Sequence, residues 1–308
     1  MNKQISKIKS IIEKAGLIKG SRKTGINKID AGVTNQVFSV FEDQAPKFIV
    51  RMYGNNLDAL IDREYENKLL LYLNQYEIGP KIVFDNEEYR IETFIDGDTD
   101  LLPSSYQKHL AKELRRFHEI PLLDHNKNFW VRLNGWMEIS NPPHQKEFQL
   151  LADYLQNDKN TRSKINKNSY LNEIVLGHGD LCLDNIMIAP EFKINLIDFE
   201  YSCNMPRAFD LANHLCEYNG LMVEQDSYPD KEVREYLIKC YIDDVKEYDE
   251  EEDLQLVDLY SCISHYQWGC WGVIMNQYNT QFDYELYTKN RFQLFESHYD
   301  MFFSKNVL

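Results

Sequence analysis

The sequence is short of positive charge. It has 34 lysine and arginine residues against 49 aspartate and glutamate residues in a chain of 308, which gives a formal net charge of −15. A protein that binds nucleic acid needs a basic stripe along the phosphate backbone, so this balance argues against a nucleic-acid partner. An acidic chain suits a cationic ligand better, although most charges on such a chain are solvated surface.

Paired cysteines and long apolar runs are also lacking. The six cysteines form no CxxC pair and no regular framework, so neither a zinc site nor a disulfide scaffold is indicated, and reduced thiols are expected. No run of about 18 uncharged apolar residues occurs, and the N-terminus lacks the continuous apolar stretch of a signal peptide. These absences predict a cytoplasmic protein without stable membrane insertion.

The first 95 residues have the pattern of a small α+β domain. Isoleucines at positions 5, 8, 11 and 12 have helical spacing and predict an amphipathic helix that ends near Gly16 or Gly20. Farther along, apolar patterns predict the order strand, strand, helix, strand, strand. The strand segments are 37–41, 47–54, 81–84 and 89–95. Residues 62–66 lead into the helix, which has leucines at 69, 70, 71 and 73 and breaks at Gly79-Pro80.

From residue 96 the pattern becomes mainly helical. Leu110, Leu114 and Phe117 share one face of a helix predicted over 106–118. Residues 174–198 predict a strand, a loop and a second strand, and long helical stretches follow. We therefore predict an α+β chain divided into 1–95 and 96–308. The acidic run 247–253 predicts a solvated loop or a helix start, not a metal site.

The strongest motif is His178-x-Asp180-x4-Asn185, followed 13 residues after the asparagine by Asp198-Phe199 at the end of an apolar strand. Phosphoryl transfer needs a carboxylate near the attacking hydroxyl and oxygen ligands that hold Mg²⁺ against the nucleotide phosphates. This pattern predicts Asp180 as the base, with Asn185 and Asp198 as magnesium ligands. The first part alone would also fit an ordinary turn, but the Asp-Phe pair on a strand favours catalysis.

The residues after this pair resemble the choline/ethanolamine kinase family, part of a larger kinase-like group that includes the aminoglycoside phosphotransferases. The resemblance is nearly continuous over about 20 residues, and weaker correspondences extend from Gly32 to the C-terminus. It is carried by residues 197–202, Asn204, Arg207, Phe209, Asp210, Asn213, His214 and Glu217.

The resemblance implies a bilobal protein-kinase-like fold. The small N-lobe would contain an antiparallel sheet, the larger C-lobe would be mainly helical, and ATP with Mg²⁺ would bind in the cleft. The products would be phosphocholine or phosphoethanolamine, formed in the first step toward the corresponding phospholipids. The resemblance is also compatible with a homodimer, for which the sequence locates no interface.

The resemblance further assigns nucleotide-binding roles in the N-lobe. Residues 31–35, with Gly32, Thr34 and Asn35, are similar to the family's turn over the phosphates, although a plain hairpin turn has the same composition. Arg51 stands where protein kinases carry a strand lysine. Its predicted partner is Glu66, with Glu64 as the alternative by spacing. Residues 92–95, with Glu92 and Phe94, resemble the linker whose backbone reads adenine.

Two tryptophans point to the acceptor site. Trp268 and Trp271 are three residues apart, which places them on one face of a helix, and by themselves they would fit core packing. A quaternary ammonium has no hydrogen to donate and is held by aromatic faces. With the resemblance, the pair becomes the aromatic wall of a choline site, joined by Phe282, Tyr284 and Tyr287. Glu217 would then supply a carboxylate for the amine.

The remaining motif residues are predicted to be structural, with Asp210 bracing the catalytic loop and His178 bracing it by packing and hydrogen bonding. Two positions depart from the family. Gly179 stands where many relatives have asparagine, and Met222 replaces an aromatic residue, which leaves the choice between choline and ethanolamine open. Two alternatives are a kinase of another amine-bearing alcohol, such as an aminoglycoside, and a non-catalytic nucleotide-binding relative.

Overall fold

The computed structural model describes residues 2–17, 24–29, 34–54, 57–99, 103–156, 169–220, 222–223, 226–243, 245, 248–278 and 282–304. The chain folds as two compact units, an N-terminal one, Met1–Asp96, and a C-terminal one, Gly97–Leu308. Within these described ranges, no helix combines the length and the apolar character needed to cross a membrane.

The N-terminal unit contains α1 (Asn2–Lys14), β1 (Thr24–Ile29), β2 (Asn35–Glu42), β3 (Ala45–Tyr53), α2 (Arg63–Leu73), the 3₁₀ turn Asn74–Tyr76, β4 (Ile82–Asp85) and β5 (Tyr89–Thr93). Its strands form an antiparallel sheet with the order β1-β2-β3-β5-β4. Helix α1 packs its buried isoleucines against apolar side chains of β2, β3 and β5, which confirms the predicted N-terminal amphipathic helix.

The sequence pattern did not predict strand β1. It pairs only with β2, at the edge of the sheet, and none of its side chains is fully buried. An edge strand of this kind needs little hydrophobic alternation, and Gly25, Asn27 and Lys28 weaken what there is. The periodicity therefore does not reveal it.

The C-terminal unit is mainly helical, as predicted, with two small antiparallel ribbons in which β6 pairs with β9 and β7 with β8. The strands are β6 (Ile174–Gly177), β7 (Ile186–Ala189), β8 (Lys193–Leu196) and β9 (Cys203–Pro206). The helices are α3 (Pro103–His118), α4 (Phe129–Ser140), α5 (Gln145–Leu155), α6 (Arg207–Cys216), α7 (Lys231–Ile242), α8 (Glu250–Met275) and α9 (Tyr284–His298), followed by the π-helical turn Tyr299–Ser304. Short 3₁₀ turns occupy Tyr170–Asn172, Leu183–Asn185, Pro190–Phe192 and Glu217–Asn219.

Two helices form the centre of this unit. Every residue of α6 is buried, and α8 is buried along most of its length, which makes both suitable supports for a loop packed against them. Helix α8 begins within the acidic run, where the Asp249 carboxylate accepts hydrogen bonds from the backbone N–H groups of Glu251 and Glu252, each 3.0 Å long. The described part of that run is thus a helix start.

The predicted position of Asp198 needs a correction. The sequence places it at the end of a strand, but β8 ends at Leu196, and Asp198 lies in the following loop with a φ of 67°. Aspartate is among the few residues that adopt this left-handed conformation with little strain. Because a strand needs an extended backbone, this conformation keeps Asp198 out of the strand, which ends before the Asp-Phe pair.

Candidate active site

The loop between β6 and β7 carries Asp180 and is fixed by α6. Asp210 accepts hydrogen bonds from the backbone N–H groups of His178 and Gly179, at 2.6 and 2.8 Å, and Asn213 accepts one from that of Leu181 at 2.6 Å. Burial would raise the pKa of Asp210, but the hydrogen bonds that it accepts from His118 and from the Gly179 backbone lower it, so the carboxylate stays ionised as an acceptor. The predicted bracing role of Asp210 is confirmed.

His178 joins this loop to the segment that carries Asp198. Its Nε2 lies 2.9 Å from the carbonyl oxygen of Ile197, and its buried ring packs against Phe117 and Phe199. Burial lowers the pKa of His178, so the ring is neutral, with Nε2–H as the donor and Nδ1 facing the N–H of Asp180 at 3.4 Å. These contacts confirm the predicted bracing role.

Gly179 has a structural reason to be glycine. Its φ is 79°, and a Cβ at this position would collide with the carbonyl oxygen of Tyr201. Any other residue would therefore meet both a strained backbone and a steric clash. The departure from the family at this position preserves the packing of the loop.

Asp180 and Asn185 are in direct contact. The Nδ2 of Asn185 donates to the backbone oxygen and to the carboxylate Oδ2 of Asp180, both at 2.9 Å. Burial raises the pKa of Asp180 well above its ordinary value, and the negative charges of Glu217, Asp198 and Glu200 raise it further, against the Asn185 hydrogen bond. A bound cation would offset the negative charge around this buried carboxylate, which makes this a candidate cation-binding site.

The donors around Asp180 suit magnesium. Asn185 uses its Nδ2 on Asp180, which leaves its Oδ1 as a ligand atom, and Asp198 offers carboxylate oxygens. In the described part of the chain, no three His, Cys, Asp or Glu side chains form a ready-made metal cluster. Mg²⁺ fits that arrangement, because it is usually held by one or two protein oxygens together with the phosphates of a nucleotide.

The predicted acceptor residues form one connected aromatic set. Trp271 lies at its centre, with ring centroids 5.5 Å from Trp268, 5.7 Å from Tyr284 and 5.8 Å from Tyr287. Phe282 contacts Tyr284 at 4.8 Å and Tyr287 at 5.8 Å. The structure therefore brings the five predicted aromatic residues together. Two of them lie on α8, two lie on α9, and Phe282 lies just before α9.

The set reaches the catalytic loop through Tyr201, to which the sequence assigns no separate role. Trp271 Nε1 donates to the Tyr201 hydroxyl at 2.7 Å, and the Tyr201 ring packs edge-on against Trp268. Burial raises the pKa of Tyr201, and so do the charges of Glu200 and Asp180. The aromatic set thus borders the cluster of carboxylates.

Glu217 is also in this region, but it is already paired. Its carboxylate accepts hydrogen bonds from Arg291 Nη2 at 2.9 and 3.2 Å. Arg291 is absent from the predicted site residues, although it lies four residues after Tyr287 and so on the same face of α9.

Arg132 is a second residue near the site that the sequence analysis did not identify. It donates to the Tyr201 carbonyl and to Gln267, from a helix about 70 residues upstream of Tyr201.

In the N-terminal unit, Arg51 belongs to a buried network of charges. Its Nε donates to Glu92 Oε1 at 3.0 Å, and Glu92 Oε2 accepts from Arg90 at 2.9 Å. Glu66 accepts from Arg90 at 2.8 Å and from Arg63 at 2.9 Å. The sequence-based partner of Arg51 was Glu66, whereas the ion pair found here is with Glu92, and Glu66 joins the network through Arg90.

The remaining nucleotide-binding candidates that the structure describes lie on two inner strands of this sheet, β2 and β5, or directly beside their ends. Thr34 and Asn35 are buried next to each other, and Asn35 accepts a hydrogen bond from Arg63 at 2.8 Å. Phe94 follows β5, where its N–H donates to the Lys47 carbonyl at 3.0 Å. Glu92 is on β5 itself, with a buried side chain, so its role in the sheet is electrostatic. Gly32 lies outside the described residues.

Comparisons with known proteins agree with this geometry. The family model for choline/ethanolamine kinase matches residues 26–296. A probable choline kinase 2 of Arabidopsis thaliana is 30% identical over 302 residues, covering 89% of this chain and 85% of the relative.

Solved structures show the same fold. An ethanolamine kinase of Plasmodium vivax has a TM-score of 0.74 and 25% identity, over 89% of this chain and 84% of that one. A choline kinase of Cryptosporidium parvum has a TM-score of 0.79 and 23% identity, over 99% and 98%. The predicted kinase-like fold is confirmed, and the chain belongs to the choline/ethanolamine kinase family.

Proposed function

We propose that this chain transfers the γ-phosphoryl group of ATP to the hydroxyl group of choline or ethanolamine. The observation that carries the proposal is the hydrogen bond from Asn185 to the Asp180 carboxylate, on a loop that α6 holds in place. The negative charges of three further carboxylates raise the pKa of Asp180. A kinase of a cationic alcohol needs a base for the hydroxyl, oxygen ligands for a metal and negative charge for the amine. One small region supplies all three.

The two parts of the chain would divide this work. Residues 1–95 would bind the nucleotide phosphates, with Arg51 as a fixed positive charge that the ion pair with Glu92 holds in place. The turn containing Gly32, Thr34 and Asn35 would contact the phosphates, and the backbone from Glu92 to Phe94 would contact adenine. Residues 96–308 would contain the base, the metal ligands and the amine pocket.

Asp180 would accept the proton of the acceptor hydroxyl as the oxygen attacks the γ-phosphorus and the bond from that phosphorus to the leaving ADP breaks. Asn185 holds the Asp180 carboxylate in place through Nδ2, and Asn185 Oδ1 and Asp198 would hold magnesium. Mg²⁺ bound there would offset the negative charge of the nucleotide phosphates. Burial raises the pKa of Asp180, which is the direction that makes a carboxylate a stronger proton acceptor.

The aromatic set would hold the amine. Trp268, Trp271 and Tyr287 would supply ring faces, and a desolvated cation gains about 0.5 to 2 kcal/mol from such a face. Phe282 and Tyr284 extend the set, and Glu217 would add a carboxylate for the positive charge. Rings suit a methylated ammonium, and carboxylates suit a primary one, so both amines match the residues present.

The proposal is tested by incubating the purified chain with ATP, Mg²⁺ and one acceptor at a time, and following the product by ³¹P NMR. Choline, ethanolamine and an aminoglycoside form the panel, and parallel reactions omit Mg²⁺. We expect magnesium-dependent phosphocholine or phosphoethanolamine. Product from the aminoglycoside alone, or from no acceptor, would contradict the proposal.

A further inference from the structure

One buried guanidinium contacts two residues of the candidate amine site. Arg291 is 2% exposed, and its Nη2 donates to both oxygens of Glu217, at 2.9 and 3.2 Å. The same guanidinium lies 5.1 Å from the centre of the Tyr287 ring. Arg291 Nη1 also faces Nδ1 of the buried His265 at 3.4 Å. The side chain is therefore held on several sides.

The two residues that Arg291 joins come from different elements. Glu217 starts the 3₁₀ turn after α6, whereas Tyr287 and Arg291 lie one turn apart on α9. Tyr287 packs against Trp271, which donates to Tyr201 beside the loop of Asp180. The negative charge of Glu217 raises the pKa of Asp180. Arg291 is thus the cross-link between two sides of the region around Asp180.

Resting on the function proposed above, we infer that Arg291 is a positioning residue of the amine site. It holds the Glu217 carboxylate and the Tyr287 ring in place for the substrate ammonium without touching the substrate. One nitrogen that serves both carboxylate oxygens fixes the side chain but leaves lone pairs on each oxygen for the ammonium. The positive charge also balances the charge of a mostly buried carboxylate.

The chain contains a matched control for this arrangement. Arg234 on α7 pairs with the buried Asp258 on α8, and its guanidinium lies 5.1 Å from the centre of the Tyr228 ring. The Tyr228 hydroxyl in turn donates to Asp258 at 2.9 Å. This second set has the same three residue types, an arginine, a carboxylate and a tyrosine, and includes none of the predicted site residues. Removing Arg234 therefore shows the effect of losing a buried ion pair outside the candidate amine site.

The experiment compares Arg291→Met, Arg291→Lys and Arg234→Met with the parent by steady-state kinetics and thermal unfolding. For Arg291→Met we expect the KM for the better amine to rise by at least about tenfold, with the KM for ATP within about twofold. Arg291→Lys keeps the charge but not the planar geometry, so an intermediate rise is expected. Arg234→Met should lower the melting temperature and leave the ratio of the two KM values unchanged.

The double variant Arg291→Met/Glu217→Gln tests whether Arg291 acts through Glu217. If it does, the double variant should raise the amine KM no more than the larger of the two single changes does. An unchanged or lowered amine KM in Arg291→Met and Arg291→Lys, or equal changes in both KM values, would overturn the inference. If Arg291→Met does not fold, Arg291→Lys decides. A parent protein that phosphorylates neither amine would instead reject the proposed function.

Discussion

Asn185 binds Asp180 twice, once at the backbone oxygen and once at the carboxylate, with both distances at 2.9 Å. One amide group therefore sets the direction of the candidate base and closes the loop on which it lies. Because this uses both N–H bonds of the amide, the side chain can face a cation only through its oxygen. In the proposed mechanism, this one amide would orient the base through its nitrogen and bind the metal through its oxygen.

Asp180→Asn should abolish most of the activity and spare nucleotide binding. The substitution keeps the size of the side chain but removes the proton acceptor, and loss of a general base typically lowers kcat by about 100- to 10,000-fold. The readouts are kcat for the better amine and the ATP dissociation constant measured by calorimetry.

Asp184→Asn is the control, because Asp184 lies in the same loop and is exposed. Its kcat should stay close to that of the parent. Equal losses in the two variants, or near-parent turnover by Asp180→Asn, would show that Asp180 is not the base.

Trp271→Leu should separate the two amines. A trimethylammonium group depends on ring faces, whereas a primary ammonium can also donate hydrogen bonds to carboxylates. We expect the KM for choline to rise by roughly 2- to 30-fold, which corresponds to about 0.5 to 2 kcal/mol, and that for ethanolamine to rise less. The two KM values measured side by side give the answer.

Tyr201→Phe accompanies that variant, because it keeps the ring but deletes the acceptor of Trp271 Nε1. Leaving that buried N–H without a partner should cost about 1 to 3 kcal/mol of unfolding free energy with a smaller effect on the choline KM. An identical rise in the KM values for choline and ethanolamine in Trp271→Leu would argue against an aromatic wall that holds the amine.

Glu92→Gln should destabilise the protein strongly. Glu92 is buried and accepts hydrogen bonds from Arg51 and Arg90, so neutralising it leaves positive charge in the sheet without its counter-charge. Breaking a buried ion pair from one side typically costs about 3 to 5 kcal/mol, measured here by urea unfolding. Lys7→Ala removes an exposed pair with Glu88 in the same unit and should cost less than about 1 kcal/mol. Similar losses in the two variants would contradict this account.

His214 should make the protein less stable in mild acid. Burial lowers the pKa of His214 from 6.5 to about 4, so between these values the unfolded chain binds a proton that the folded chain does not. The free energy of unfolding therefore falls as the pH drops through this window, by up to about 1.4 kcal/mol per pH unit from this group. The pKa values of His118, His178 and His265 shift in the same direction.

His214→Gln isolates the contribution of one histidine, since glutamine does not titrate. Urea midpoints at pH 7 and pH 5 should differ less for the variant than for the parent. Parallel slopes would mean that His214 is not protonated on unfolding in this range.

Local patterns predicted much of this structure from the sequence. Helical spacing identified α1 and the buried face of α3, and the motif spacing identified Asp180 and Asn185, which are in contact because they lie five residues apart on one short loop. The partners of Arg51 and Glu217 were not predictable in this way. Glu92 and Arg291 are 41 and 74 residues away, and only the pairing of strands and the packing of α9 bring them close. Tertiary contacts of this kind leave no periodic trace.

The contacts between the loop of Asp180 and the segment after β8 have a consequence for motion. His178 Nε2 donates a hydrogen bond to the Ile197 carbonyl, and the Ser202 hydroxyl donates to the His178 carbonyl at 3.1 Å. Gly179 lies against Tyr201 with no room for a side chain. These contacts couple the two segments, so a shift of one segment would strain its contacts with the other. We therefore expect Asp180, Asp198 and Tyr201 to move together in any conformational change.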